Sequence, residues 1–105
     1  MANKNYEQGR RLEYKTIKHF EDNMSCTATR AAGSHGLADV IAWDSRSFWL
    51  VQVKSGSARM TAAEIESFQD MASPPNCLKQ IYQYYKVGGK WELAIKNIKD
   101  MRTDM

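Results

Sequence analysis

One run of the chain, from Ser47 to Gly56, constrains the fold more than any other. It reads SFWLVQVKSG, and apolar residues occupy both of its alternating sets of positions. Side chains alternate between the two faces of a strand. One face would carry Trp49, Val51 and Val53, and the other Phe48 and Leu50. Because both faces are apolar, both have to be covered, so we expect a central strand with packing on its two sides.

Polar residues at the end of this run indicate a functional site. Gln52 and Lys54 share a face of the strand, and Asp39 interrupts an earlier apolar run, GLADVIAW. If the two strands pair, an acid, an amide oxygen and an ammonium meet at one place. This combination suits the binding of a divalent metal ion and a water molecule against a phosphodiester. The alternatives are an edge strand with solvated polar residues and, for Asp39, a capping or arginine-pairing role.

The segment from Tyr6 to about Asn23 has the periodicity of an amphipathic helix. Its apolar stripe comprises Gly9, Leu12, Thr16, Ile17, Phe20 and Met24, and its outer face carries Arg10, Arg11, Lys15 and Lys18. Glu13 falls within the stripe. A buried carboxylate without compensation costs on the order of several kcal/mol, so Glu13 needs a cation, a metal ion or water beside it.

Turn signals divide the rest of the chain. Strand-like alternation from Ser25 to Ala32 precedes a turn at Gly33–Gly36, and WDSRSF predicts a tight hairpin into the Ser47–Gly56 strand. Thr61–Glu64 has the capping-box pattern of a helix start. The positions that continue that helix and stop it are Ile65, Phe68, Ala72 and Pro74-Pro75. Strands over 78–87 and 90–97 are joined at Gly88-Gly89. The predicted order is α-β-β-β-α-β-β.

Length and composition set outer limits. The 105 residues predict one domain, residues 1–105, with the last eight or so as a polar tail. A net charge of +3 is compatible with a polyanionic partner but does not require one. Without an 18-residue apolar run or a leader pattern, we expect no membrane association and a cytoplasmic location. Cys26 and Cys77 fit neither disulfide nor zinc-ligand spacing and are predicted to be core residues.

Three motifs together resemble the PD-(D/E)xK nuclease superfamily, and within it the archaeal-type Holliday junction resolvases. They are G-x-x-x-E from Gly9 to Glu13, RAAGSHGLAD from Arg30 to Asp39, and VQVKSG from Val51 to Gly56. The likeness runs from about Gly9 to Ala72, with all elements in the same order. It implies a restriction-endonuclease-like α/β fold, in which a central mixed sheet is flanked by helices.

The resemblance also implies residue roles. Metal-site residues would be Glu13, Asp39, Gln52 and the main-chain carbonyl of Val53, holding Mg²⁺, for which Mn²⁺ would substitute. Lys54 would be the catalytic lysine, and Arg30 and Ser34 would contact the scissile phosphate region, with Ser34 part of the catalytic set. With such a site nearby, the outer helix face becomes a candidate for DNA phosphate contacts through Arg10, Arg11 and Lys15.

Two positions depart from the family pattern. Gln52 stands where an acid is usual, and Ala38 replaces the proline that precedes the aspartate in the superfamily name. An amide keeps one oxygen for the metal ion but removes a negative charge, so attraction for the cation weakens. With this charge missing, the site would hold one metal ion where two would otherwise bind.

The function that this resemblance implies is structure-selective DNA cleavage in recombination and repair. We expect a metal-dependent endonuclease that resolves four-way junctions as a homodimer, because two symmetric cuts need two sites related by a two-fold axis. The alternatives are a related nuclease acting on duplex or flap DNA, and a non-catalytic DNA-binding protein with the nuclease fold.

A group of aromatic residues lies in the last two predicted strands. We expect these residues to belong to the core or to a subunit interface, and the alternative is a surface on which bases stack. The group comprises Tyr82, Tyr84, Tyr85 and Trp91.

Overall fold

The structure is a computed structural model that describes residues 4–31 and 38–101. Its elements in chain order are α1 Lys4–Met24, β1 Thr27–Arg30, β2 Val40–Trp43, β3 Phe48–Ser55, α2 Ala62–Asp70, β4 Cys77–Val87 and β5 Lys90–Asn97, followed by a 3-10 turn at Ile98–Asp100. The predicted order α-β-β-β-α-β-β is confirmed. The predicted turn at Gly33–Gly36 lies outside the described residues.

The five strands form one mixed sheet in the order β1-β2-β3-β4-β5, with β3 at its centre. All neighbours are antiparallel except β3 and β4, which are parallel. β3 pairs with β4 over its whole length, but with β2 only from Phe48 to Val51. The last residues of β3 therefore have one edge that β2 does not cover.

The two helices cover opposite faces of this sheet, as the alternation along β3 predicted. The α1 face holds the buried cluster Leu12, Phe20, Cys26, Val40, Ala42, Trp49, Val51, Tyr82 and Tyr84. The α2 face holds the buried cluster Ala38, Leu50, Met60, Ile65, Phe68, Ile81 and Ile98. Within α1, Leu12, Thr16 and Phe20 are buried as predicted, whereas Met24 is 39% exposed at the helix end.

Local side-chain bonds fix the predicted turns. Asp44 Oδ1 accepts the N–H groups of Arg46 and Ser47, both at 2.7 Å, which closes the β2–β3 hairpin. Gly88 and Gly89 both have positive φ, +58° and +80°, as a two-residue hairpin turn requires.

The second helix begins as predicted but ends earlier. Its capping box joins Thr61 and Glu64 through bonds of 2.8 and 3.1 Å. The helix stops at Asp70, so Ala72 is not part of it, and Met71 already has extended backbone angles. Lys79 Nζ donates to the main-chain carbonyls of Gln69 and Met71, satisfying acceptors at this helix end. The helix therefore terminates before Pro74-Pro75 because a tertiary contact caps it.

The segment after Asn97 continues the core for a few residues. Ile98 is only 3% exposed and packs in the α2-face cluster. Gln69 Nε2 holds the segment by donating to the carbonyls of Ile98 at 2.9 Å and Met101 at 3.1 Å. Residues 98–101 of the predicted polar tail are therefore part of the fold, and residues 102–105 lie outside the described residues.

The late aromatic residues belong mainly to the core. Tyr82 and Tyr84 are each 1% exposed, and the Tyr84 hydroxyl lies 2.7 Å from Thr16 Oγ1. Burial raises the pKa of both phenols. Tyr85 is 40% exposed, and Lys86 Nζ lies 5.0 Å from the centre of the Trp91 ring. The buried pair is thus unavailable for stacking on bases. Both cysteines are free thiols, and Cys26 lies in the core as predicted, whereas Cys77 is only half-buried.

Over the described ranges 4–31 and 38–101, no helix has the length and apolarity to cross a membrane.

Candidate active site

Asp39 lies one residue before β2, at the uncovered edge of β3. Its main-chain N–H donates to the Val51 carbonyl at 2.7 Å, and its carbonyl accepts the Ala31 N–H at 2.9 Å. Its carboxylate Oδ2 accepts the N–H of Val53 at 2.9 Å. The expectation that Asp39 interrupts a strand is therefore wrong in detail. Asp39 precedes the strand, and its side chain takes up a β3 donor that β2 leaves unpaired.

The carbonyl of Val53 lies on the same edge as Asp39. In a paired strand, the N–H and C=O of one residue point to the same neighbour. Because the Val53 N–H is bonded to Asp39, its carbonyl oxygen is directed toward the same side of β3. Two of the oxygen ligands proposed from the sequence are thus brought to one place by a single hydrogen bond.

Four ionisable side chains from four different segments influence one another here. Burial raises the pKa of Asp39, and the hydrogen bond from Val53 opposes that shift. The Glu13 carboxylate raises the pKa of Asp39 further, whereas Lys54 and Arg30 lower it. Glu13 comes from α1, Arg30 from β1 and Lys54 from β3. The pKa of Asp39 therefore responds to the other acid and to the lysine that the motifs singled out.

Glu13 is held by an arginine. Arg30 Nε donates to Glu13 Oε1 at 2.8 Å, and both side chains are largely buried, at 23% and 19% exposure. The sequence left a cation, a metal ion or water open as the partner of Glu13, and the structure shows that the partner is the Arg30 guanidinium. The second oxygen, Oε2, accepts no hydrogen bond from the described residues. One oxygen is thus fixed by Arg30 while the other can serve as a ligand.

Arg30 therefore has a different environment from the one that the resemblance implied. Its guanidinium binds Glu13 and also lies 5.5 Å from the centre of the Tyr14 ring. A contact to the scissile phosphate would have to be made by the remaining guanidinium nitrogens. Ser34, the other residue implied at that phosphate, lies outside the described residues.

Gln52 and Lys54 share the α2 face of β3, as their spacing predicted. In the parallel register they are the Cα partners of Ile81 and Gln83 in β4. Both side chains are half-buried, and neither forms a hydrogen bond or an ion pair with the residues that the structure describes. The Lys54 ammonium still contributes to the pKa of Asp39. It is therefore close to the acid without being neutralised by a salt bridge.

Tyr14 is a neighbour of the site that sequence reasoning missed. Its side chain is 49% exposed, and the guanidinium of Arg10 lies 6.0 Å from its ring centre. Hydrogen bonding to Arg10 lowers the pKa of Tyr14 most, with a further contribution from Arg30. The i, i+4 spacing of Arg10 and Tyr14 was the available signal. Arg11 and Lys15 are also exposed on this helix.

The available oxygens fit a hard divalent cation. Glu13 and Asp39 offer carboxylates, Gln52 an amide oxygen and Val53 a main-chain carbonyl, all of them ligands that Mg²⁺ accepts. In the described part of the chain, no three His, Cys, Asp or Glu side chains are grouped as a metal site. A cation here would depend on two neutral oxygens, and Arg30 offsets part of the carboxylate charge. We therefore expect weak metal binding.

The mixed five-stranded sheet with a helix on each face is similar to the fold of a solved Holliday junction resolvase. A solved structure with this fold is that of Hjc from Archaeoglobus fulgidus, a Holliday junction resolvase from an archaeal hyperthermophile. The TM-score is 0.69 over 88% of this chain and 74% of that chain, at 18% sequence identity. The predicted restriction-endonuclease-like fold is confirmed. No protein-family model matches the sequence, and no curated protein matches it.

Proposed function

We propose that this protein is a metal-dependent, structure-selective DNA endonuclease that cleaves four-way junctions. The observation that carries the proposal is the bond that holds the Asp39 carboxylate against Val53, between Gln52 and Lys54, in a fold similar to that of a Holliday junction resolvase. Glu13 and Lys54 both influence the pKa of this carboxylate. Two acids, together with a lysine that has no salt bridge to any residue in the ranges 4–31 and 38–101, suit phosphodiester hydrolysis better than they suit a packing role.

Each residue has a distinct part in the proposed reaction. Glu13, Asp39, the Gln52 amide and the Val53 carbonyl would hold Mg²⁺ or Mn²⁺, which supplies an acidified water and offsets phosphate charge. Lys54 would orient that water or take its proton. Arg30 would keep Glu13 oriented through Oε1, and Oε2 would be the oxygen that binds the cation.

DNA affinity would come from the exposed cations of α1. Arg10, Arg11 and Lys15 lie on the outer face of the helix that carries Glu13. Contacts between such side chains and phosphates release counterions and provide most of the sequence-independent affinity. A homodimer would present two such surfaces and two sites, because one chain carries one site and a resolved junction needs two opposed cuts.

The decisive experiment compares cleavage of a four-way junction, a flap and a linear duplex of the same arm sequences. Each substrate is incubated with Mg²⁺, Mn²⁺ or EDTA, and Asp39→Asn serves as the matched inactive variant. We expect paired nicks in opposite strands of the junction, dependent on metal and absent in the variant. Sedimentation of the protein with and without junction tests the dimer.

Other outcomes would assign the alternatives. Preferential cutting of flap or duplex DNA would indicate a nuclease of different substrate class. Junction binding without cleavage at any metal concentration would indicate a binding protein. Gln52 motivates this alternative, because an amide carries one negative charge fewer than the acid usual at this position.

A further inference from the structure

Gln83 is a buried glutamine in the middle of β4. Its side chain is 4% exposed, and Nε2 donates to the main-chain carbonyl of Gly56 at 3.0 Å. Among the described residues, the other buried polar side chain is Thr16, on the opposite face of the sheet. A buried amide is costly unless it is hydrogen-bonded, so the bond to Gly56 is what makes this position tolerable.

The Gly56 turn, defined here as residues 55–58, directly follows the catalytic strand end. Gly56 has a φ of +60°, and its N–H donates to the Tyr84 carbonyl at 2.8 Å. Its carbonyl accepts Arg59 Nη1 at 3.0 Å in addition to Gln83. Consecutive residues of β4 thus hold the turn, Gln83 through its side chain and Tyr84 through its main chain.

Gln83 is also the Cα partner of Lys54 in the parallel register, and the two side chains share the α2 face. On the other edge, β2 pairing ends at Val51, and the Asp39 carboxylate accepts the Val53 N–H beyond it. Pairing with β4, in contrast, continues through Lys54 to Ser55, so β4 supports the backbone that carries Lys54. The bond from Gln83 to the Gly56 carbonyl holds the chain to β4 at a point two residues beyond Lys54.

We infer that Gln83 is a positioning residue for Lys54, whose amide holds the Gly56 turn against β4 and thereby sets the ammonium relative to Asp39. This inference rests on the proposed function. A misplacement of about 1 Å in a reacting group costs up to about 100-fold in rate. A purely structural glutamine would instead affect stability and leave the turnover of folded protein unchanged.

The test uses Gln83→Met, which keeps the side-chain length and removes the donor. Gln80→Met is the matched control, because Gln80 lies on the same strand with its face reversed and its Nε2 bonds Asn97 Oδ1 at 2.9 Å. Junction cleavage is measured per folded molecule below both melting temperatures. We expect kcat to fall about tenfold or more in Gln83→Met, within the range that misplacement produces. The KM for DNA and the half-saturating Mg²⁺ concentration should stay near wild-type values, and Gln80→Met should keep its kcat.

A second readout does not depend on activity. Amide hydrogen exchange at Gly56 should be faster in Gln83→Met and unchanged in Gln80→Met, because only the former loses a bond to the turn. If Gln83→Met does not fold, Gln83→Asn retains the amide but is one methylene too short to keep the bond. It should then show the same fall in kcat.

Four results would overturn the inference. They are an unchanged kcat despite faster exchange at Gly56, unchanged exchange at Gly56, an equal loss of kcat in both methionine variants, and a rise in KM alone. Cleavage by wild type with full activity in Gln83→Met would overturn this inference and leave the proposed function intact. Failure of the wild type to cut any branched DNA would overturn the proposed function and this inference with it.

Discussion

The N–H of Val53 donates to Asp39 Oδ2 at 2.9 Å, which ties the end of the central strand to an acid outside the sheet. Val53 lies between Gln52 and Lys54, so this bond fixes the acid relative to both polar residues of the strand. The main-chain N–H of Val53, bonded to the Asp39 side chain, therefore determines where this acid lies along β3.

Asp39→Asn should reduce the cleavage rate by about 100-fold or more, which is the scale of effect seen when one preorganised electrostatic group is lost. Junction affinity should stay within a few-fold of wild type, because phosphate contacts supply it. The melting temperature should not fall, since burial raises the pKa of Asp39 and an amide oxygen can still accept the Val53 N–H. Wild-type cleavage rates by this variant in Mg²⁺ would remove Asp39 from the site.

Glu13→Gln should raise the Mg²⁺ concentration needed for half-maximal activity, because a carboxylate ligand becomes neutral. If Arg30 acts by holding Glu13, adding Arg30→Gln to this variant should cause little further loss. The measurement is a metal titration of cleavage for both single variants and the double variant. Strictly additive losses would mean that Arg30 has a separate role, such as a phosphate contact.

Gln52→Glu should lower the metal requirement, because it adds a negative charge with almost no change in volume. Whether the maximal rate rises is a separate matter, since tighter metal binding does not by itself favour the transition state. Half-saturation with Mg²⁺ and Mn²⁺ is compared between variant and wild type. Equal metal dependence would place Gln52 outside the coordination shell. Cleavage by the variant alone would make the natural chain a binding protein.

The double variant Arg10→Ala with Arg11→Ala should weaken junction binding and flatten its salt dependence. The slope of log affinity against log salt should change by about one for each lost phosphate contact. Arg46→Ala is the control, because Arg46 is exposed in the β2–β3 hairpin, which precedes β3, whereas the site lies at the end of β3. An unaltered slope in the double variant would mean that these arginines are solvent-exposed side chains that do not contact phosphates.

The β2–β3 hairpin should show a pH-dependent stability that comes from Asp44. Hydrogen bonds from the N–H groups of Arg46 and Ser47 lower the pKa of Asp44. For a lowered acid pKa, the stabilisation is present above the unfolded value of about 4 and is lost as pH falls through the folded value. The difference in unfolding free energy between wild type and Asp44→Ala should therefore shrink in acid. A difference that does not vary with pH would contradict this linkage, and Asp44→Asn should keep most of the turn.

Several parts of the fold could be predicted because their causes are local. The capping box at Thr61 and the paired glycines at 88 and 89 act over a few residues, so sequence spacing identifies them. The end of α2 could not be placed in this way. Lys79, from the following strand, caps the helix at Asp70, and no local pattern announces that contact.

The candidate site, too, has features with local causes and features that only tertiary contacts determine. By itself, the sequence determined that Gln52 and Lys54 share a face of a central strand, because strand periodicity is a property of the backbone. Only the tertiary structure decided that Arg30 pairs with Glu13 and that Asp39 bonds Val53 from outside β2. These contacts join residues more than a dozen positions apart, and their geometry depends on strand register and helix placement. The tertiary structure also decided that Gln83 is buried against the Gly56 turn, because β3 and β4 are separated in the chain by α2 and meet only in the folded sheet.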